Sequence, residues 1–191
     1  VHEPQLKVET DWDLGMDDST AIWFSQREPG GAVRLINYYE MNGRGLDHYA
    51  QVLEDYRQRL HYVYSEHWAP HDIQVRELGS GRSRLETAAN LGIYFQIVPR
   101  VQTDVRGEVE EGIHNARMLF AKCWVDAEKC TRGLEALQHY HFDYNQRIRE
   151  LTGKPVHDWA SHAADAFRGL ATRYYKPEAP RIRPQDQYDR D

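Results

Sequence analysis

No stretch of this chain stays apolar for the roughly 20 residues that a membrane-crossing helix needs, and no charged-then-apolar signal segment opens it. A soluble, cytosolic protein is expected. Cysteine is scarce: Cys123 and Cys130 are the only two, which excludes a disulfide framework and suits a reducing compartment. Excess basic charge is missing as well. The net charge of −6 argues against broad, nonspecific nucleic-acid affinity, which rests on clustered Lys and Arg. Aromatic residues, by contrast, abound. With 12 Tyr and 5 Trp in a hydrophobic fraction of 40%, the chain holds the side chains that a core requires and disordered segments lack. Its 191 residues suit one domain and are too few for two ordinary ones. The chain starts at Val1 rather than at a methionine, so an upstream part, such as another domain, is expected.

Residues 7 to 41 predict a β-meander: "KVETDWDLGM", "TAIWFSQ" and "AVRLINYYEM", joined by the turn-forming "DDS" and "REPGG". After "NGRG" the period changes. Leu46, Tyr49, Ala50, Leu53, Tyr56 and Leu60 recur at three- and four-residue intervals, which predicts a helix over about 46–60. "HYVYSEHWAPHDI" suits a fourth strand, with Pro70 at an edge or a strand end. Ser83 and Glu86 form a capping-box pattern for a short helix reaching about residue 91. "IYFQIVPR", apolar throughout, predicts a fifth strand buried on both faces. Three more helices follow. The first opens at Asp104 and turns Val105, Val109, Ile113, Ala116 and Phe120 inward; the second spans Asp126 to Tyr144, with Cys130, Leu134, Leu137 and Tyr144 inside; the last lies within 158–174. Residues 176–191, with three prolines and no apolar period, suit a flexible tail, which leaves 1–175 as the domain. This α/β order fits a central mixed sheet of five strands or more flanked by helices, as in ribonuclease H-like folds.

The acidic residues carry the chemistry. Asp13 ends the first strand between Trp12 and Leu14, and a carboxylate among large apolar neighbours needs a partner or a cation. Asp17 and Asp18 suit a hairpin turn. Asp72 follows His71 at the carboxyl end of the fourth strand, where ligands collect in α/β sheets. In "HDWASHAADAFRGLATRY", Asp158, His162 and Asp165 fall on one narrow helical face, beside a stripe of Trp159, Ala163, Ala166, Phe167 and Leu170. Asp158 has two readings, metal ligand or helix cap. Carboxylates from separate segments favour a hard cation, magnesium or manganese, and a pair of such ions suits phosphodiester hydrolysis.

"WDLGMDDSTAIWF", "APHDI", "LGSGRSRLETAANLGI" and "HDWASHAADAFRGLA", in this order over residues 11 to about 171, resemble the nuclease domain of the large terminase subunit of tailed bacteriophages. The resemblance implies a ribonuclease H-like endonuclease that uses two metal ions to cut concatemeric viral DNA during genome packaging in the host cytoplasm. Carried over, the catalytic acids are Asp13, Asp72 and Asp165, with Asp158 a less secure ligand. It further implies double-stranded DNA, an upstream packaging ATPase domain, the portal and the small terminase subunit as partners, no membrane, and a monomeric isolated domain.

Residues 73 to 106 hold five arginines against three acids, a local exception to the acidic balance. Arg82, Arg84 and Arg100 are the candidate phosphate contacts, with His71 and His162 as possible auxiliaries. "GSGRS" lacks the lysine and spacing of a nucleotide phosphate loop. Cys123, Cys130, His139 and His141 match no common zinc pattern. Two other readings of the whole stand beside the nuclease: a noncatalytic ribonuclease H-like docking domain of the packaging machine, and the phosphate-binding lobe of an actin-like ATPase or sugar kinase. The last repeats its lobe in a much longer chain.

Overall fold

The computed structural model describes residues 2–15, 19–76, 81–100, 105–147 and 149–175, apart from the side chains of residues 105, 106 and 145. Asp17, Asp18, Gly79, Ser80, Asp104, the side chains of Val105 and Arg106 and the 176–191 tail therefore lie outside the described residues. Strands β1 (Val8–Asp13), β2 (Ser19–Arg27) and β3 (Val33–Asn42) form the expected antiparallel meander. Gly31, at φ 83°, takes the left-handed backbone that the β2–β3 turn needs. Helix α1 (Leu46–Leu60) leads to β4 (Tyr64–Ala69), a single 3-10 turn (His71–Gln74), helix α2 (Arg84–Asn90) and β5 (Phe95–Ile97). Then come α3 (Val105–Phe120), β6 (Cys123–Val125), α4 (Thr131–His139), the hairpin strands β7 (Phe142–Asn145) and β8 (Glu150–Pro155), and α5 (Ser161–Tyr175).

The central sheet has six strands in the order β5-β4-β1-β2-β3-β6, with β4 parallel to β1 and to β5, and β6 parallel to β3. Helices cover both faces. Alternation along β2 explains its unbroken apolar run: Ile22 and Phe24 pack with Tyr49 and Leu53 of α1, while Ala21 and Trp23 pack with Ala163 and Phe167 of α5. Trp23 fixes the second layer. Its indole N–H donates to the Ala163 carbonyl at 2.9 Å, and a Cβ on Gly133 of α4 would stand 2.5 Å from its ring. Among the described residues no helix is long and apolar enough to cross a membrane.

Several expected elements differ. β5 is a short edge strand in which only Phe95 is buried and Tyr94 is exposed, because a continuous apolar run does not by itself distinguish a central strand from an edge. The predicted 126–144 helix shrinks to α4, since residues 127–130 form turns; Tyr144 moves to β7 and is exposed. Phe120 is also exposed, although its ring still meets Phe167 at 5.9 Å. Cys130 is buried, its thiol donating to the Leu35 carbonyl at 3.5 Å, and burial pushes both cysteine thiols up to about 12, so they serve packing.

Candidate active site

Strand β1 sorts its side chains by period two. Val8 and Trp12 join the core beneath α1, whereas Glu9, Asp11 and Asp13 face α5. Three carboxylates in a row on a covered face require positive partners. Arg173 near the end of α5 meets the first two, with its Nη1 2.6 Å from Glu9 and its Nε and Nη2 at 2.5 and 2.7 Å from Asp11. Asp13, at the strand's end, instead faces the start of the helix. Its Oδ2 lies 3.1 Å from Nδ1 of His162, and its side chain is 24% exposed.

Parallel pairing of β1 with β4, with Asp11 opposite Trp68, brings the carboxyl ends of both strands to one edge. Pro70 ends β4, having no N–H to continue the ladder, and the 3-10 turn carries His71 and Asp72 to that edge. Asp72 is half exposed and accepts from Arg84 Nη2 at 3.4 Å; Nη1 of the same guanidinium donates to the Leu14 carbonyl at 2.8 Å. Arg84 is held there by the predicted capping box. Ser83 Oγ accepts from the Glu86 N–H at 3.1 Å, and Glu86 Oε2 accepts from the Ser83 N–H at 2.6 Å.

Asp165 lies one helical turn beyond His162. A third of its side chain is exposed, yet its Oδ1 is buried and makes no hydrogen bond; Arg168 Nη1 stands 3.1 Å away but out of line. Burial raises the carboxyl's pKa, Arg168 opposes the rise, and the charge of Asp13 adds to it. A carboxyl raised in this way penalises the folded state while ionised, and the penalty vanishes as pH falls from its folded pKa to below its unfolded value. Asp165→Asn is therefore expected to melt no lower than the parent in metal-free buffer. Thermal melts across pH should show the parent gaining on the variant as the medium is acidified; an unchanged gap would show that Asp165 bears no such penalty.

Asp13, Asp72 and Asp165 line one cavity of about 360 Å³, together with His71, Glu108 of α3 and Arg168. The four carboxylates leave the cavity strongly anionic. All are oxygen donors, and the buried Oδ1 of Asp165 accepts no hydrogen bond, so the residues fit a hard divalent ion in type. Among the described residues no three His, Cys, Asp or Glu side chains stand within ligating reach of one point; Arg84 and Arg168 pair with Asp72 and Asp165 instead.

The other expected residues fall elsewhere. Asp158 precedes α5 rather than riding on it: its Oδ1 accepts from the Ala160 N–H at 2.9 Å, a turn contact ahead of the helix rather than a cap on its first turn, and it does not line the cavity. Trp159 leaves the buried stripe with it, standing 38% exposed beneath Arg132. Arg82 and Arg84 line an adjacent cleft, whereas Arg100 is exposed beyond β5 and lines neither space. Glu108 and Arg168 carried no sequence signal. Each sits in a helix rich in charge, where period alone marks neither as special.

No protein-family model matches the chain, and curated protein sequences give no significant match. Solved structures do. The large terminase of a thermophilic bacteriophage superposes with a TM-score of 0.64 at 17% identity, over 90% of this chain and 40% of its own. The P22 large terminase nuclease domain gives 0.62 at 19%, covering 92% of this chain and 84% of that domain. The nuclease domain of the SPP1 large terminase, solved with bound manganese, gives 0.57 at 11%, covering 89% and 86%. This chain thus spans about 40% of the thermophilic phage's large terminase and most of each isolated domain. At such identities the likeness establishes the fold: a ribonuclease H-like sheet shared with large terminase nuclease domains.

Proposed function

We propose that this chain is a metal-dependent DNA endonuclease domain that cuts concatemeric viral DNA during genome packaging. One observation carries the reading: acidic side chains from β1, the turn after β4 and α5 line a single cavity at the carboxyl edge of the sheet. The shared fold supports it, as does the manganese bound in the SPP1 domain. Asp13, Asp72 and Asp165 would hold magnesium or manganese, as one ion or a pair. When bound, such ions polarise the phosphodiester and make water a nucleophile at neutral pH.

The remaining roles belong to the chain's own side chains. His162 orients the Asp13 carboxylate, Arg84 braces the end of β1 against Asp72, and Arg168 balances Asp165. The double-stranded substrate, an upstream ATPase domain, and docking to a portal and a small subunit extend the same reading. The test is conversion of supercoiled plasmid to nicked and linear forms with magnesium, with manganese, and with chelator. Cleavage in both metals and none in chelator is expected, and a protein inert in both metals would overturn the reading.

A further inference from the structure

Beside the carboxylate cavity lies a cleft of about 750 Å³, roughly twice its volume. Its walls come from three segments distant in sequence: Leu14 and Gly15 after β1, Arg44 to Asp47 at the start of α1, and Arg82, Arg84, Thr87 and Asn90 around α2. Among the described residues lining it are three arginines, of which Arg84 is paired with Asp72, and one acid, Asp47, whose carboxylate folds back to within 2.5 Å of where a Gly45 Cβ would sit. In a chain with net charge −6 this is a local excess of arginine, and it adjoins the carboxylate cavity. Arg84 links the two spaces: it lines the cleft, donates to the Leu14 carbonyl, and pairs with Asp72 of the carboxylate cavity.

We infer that this cleft seats the sugar-phosphate backbone of the DNA strand as it leaves the carboxylate cavity, with Arg44 and Arg82 contacting successive phosphates. The inference rests on the nuclease reading for its substrate. Arg44 is exposed, lines the cleft and makes no ion pair among the described residues, so its charge is available to a ligand. The chemistry favours a backbone over a base. Tyr49 is the only aromatic side chain among the described residues lining the cleft; it is 1% exposed and its hydroxyl donates to the Met41 carbonyl, so no ring offers a stacking face. Binding here should therefore ignore sequence and weaken with salt.

The test is anisotropy of a short fluorescein-labelled duplex in chelator, titrated with wild type, with Arg44→Gln/Arg82→Gln, and with Arg59→Gln at the far end of α1, at salt from roughly 50 to 200 mM. Loss of about 10-fold in affinity in the double variant, with a salt slope shallower by about two and no change in Arg59→Gln, is expected. Equal affinity and slope in the double variant and wild type would overturn the inference. Plasmid cleavage by the wild type, read in parallel, separates the two proposals. A wild type that cleaves beside a double variant that binds normally removes the cleft alone, whereas a wild type that never cleaves beside a double variant that binds weakly removes the nuclease and leaves the cleft as a DNA site.

Discussion

An Asp13→Asn variant is expected to lose metal-dependent plasmid cleavage by on the order of 10³-fold, about 4 kcal/mol of barrier, while its urea midpoint stays close to the parent's. The substitution keeps size and shape and removes one negative charge. In the cavity that charge stands beside Asp72, Glu108 and Asp165, and on the proposed reading each carboxylate would strengthen the hold on a divalent cation and therefore its polarising effect. Stability is little affected because the side chain is a quarter exposed, and an asparagine oxygen can still accept a hydrogen bond from His162. The control is Asp158→Asn. Its partner is the Ala160 N–H in a tight turn, a role that asparagine fills equally well, so its cleavage rate should stay within about twofold of the parent's. Undiminished nicking by Asp13→Asn would remove Asp13 from the chemistry. Equal losses in both variants would mean that the acidic residues act through overall charge rather than position.

How much of this site could be read before the fold was known differs residue by residue. Asp13 was legible because a charged residue closing an alternating apolar strand is costly and therefore informative. Asp72 was legible from the proline that stops β4 and the edge this creates. For α5 the period was right, but the helix opens at Ser161, three residues after Asp158, so His162 and Asp165 keep their shared side while Asp158 and Trp159 drop out of it. β6, at three residues, is shorter than any window in which a period shows, and the β7–β8 hairpin lies where a continued helix was expected. Glu108, Arg168 and Arg44 had no local mark at all. Their positions follow from α3 crossing α5 and from the β3–α1 loop meeting α2, long-range events that a linear pattern does not encode.

Arg173→Met is expected to destabilise the protein by about 3–5 kcal/mol, whereas pairing it with Asp11→Leu should recover at least about 2 kcal/mol of that loss. The guanidinium is 2% exposed, lies between Asp11 and Glu9, and sits 5.0 Å from the Trp68 ring centroid. Burial alone would favour its neutral form, but the two carboxylates hold its pKa above the ordinary arginine value. Removing it strands Asp11, which is 1% exposed, without a counter-charge; Glu9 keeps Arg27 at 3.2 Å. Taking out Asp11 as well removes the stranded charge, hence the recovery in urea unfolding. Strictly additive losses would show that the two groups are not coupled.

The pair also sets geometry. From Asp11 to Asp13 the strand advances about 7 Å, and from Arg173 back to His162 the helix advances about 16 Å; the long arginine side chain makes up part of the difference. The contact thus fixes how far α5 slides along β1, and with it where Asp165 stands relative to Asp13. In the double variant, recovered stability with cleavage still depressed would identify the buried pair as the device that registers the helix on the strand. Full recovery of both would make it a packing feature alone.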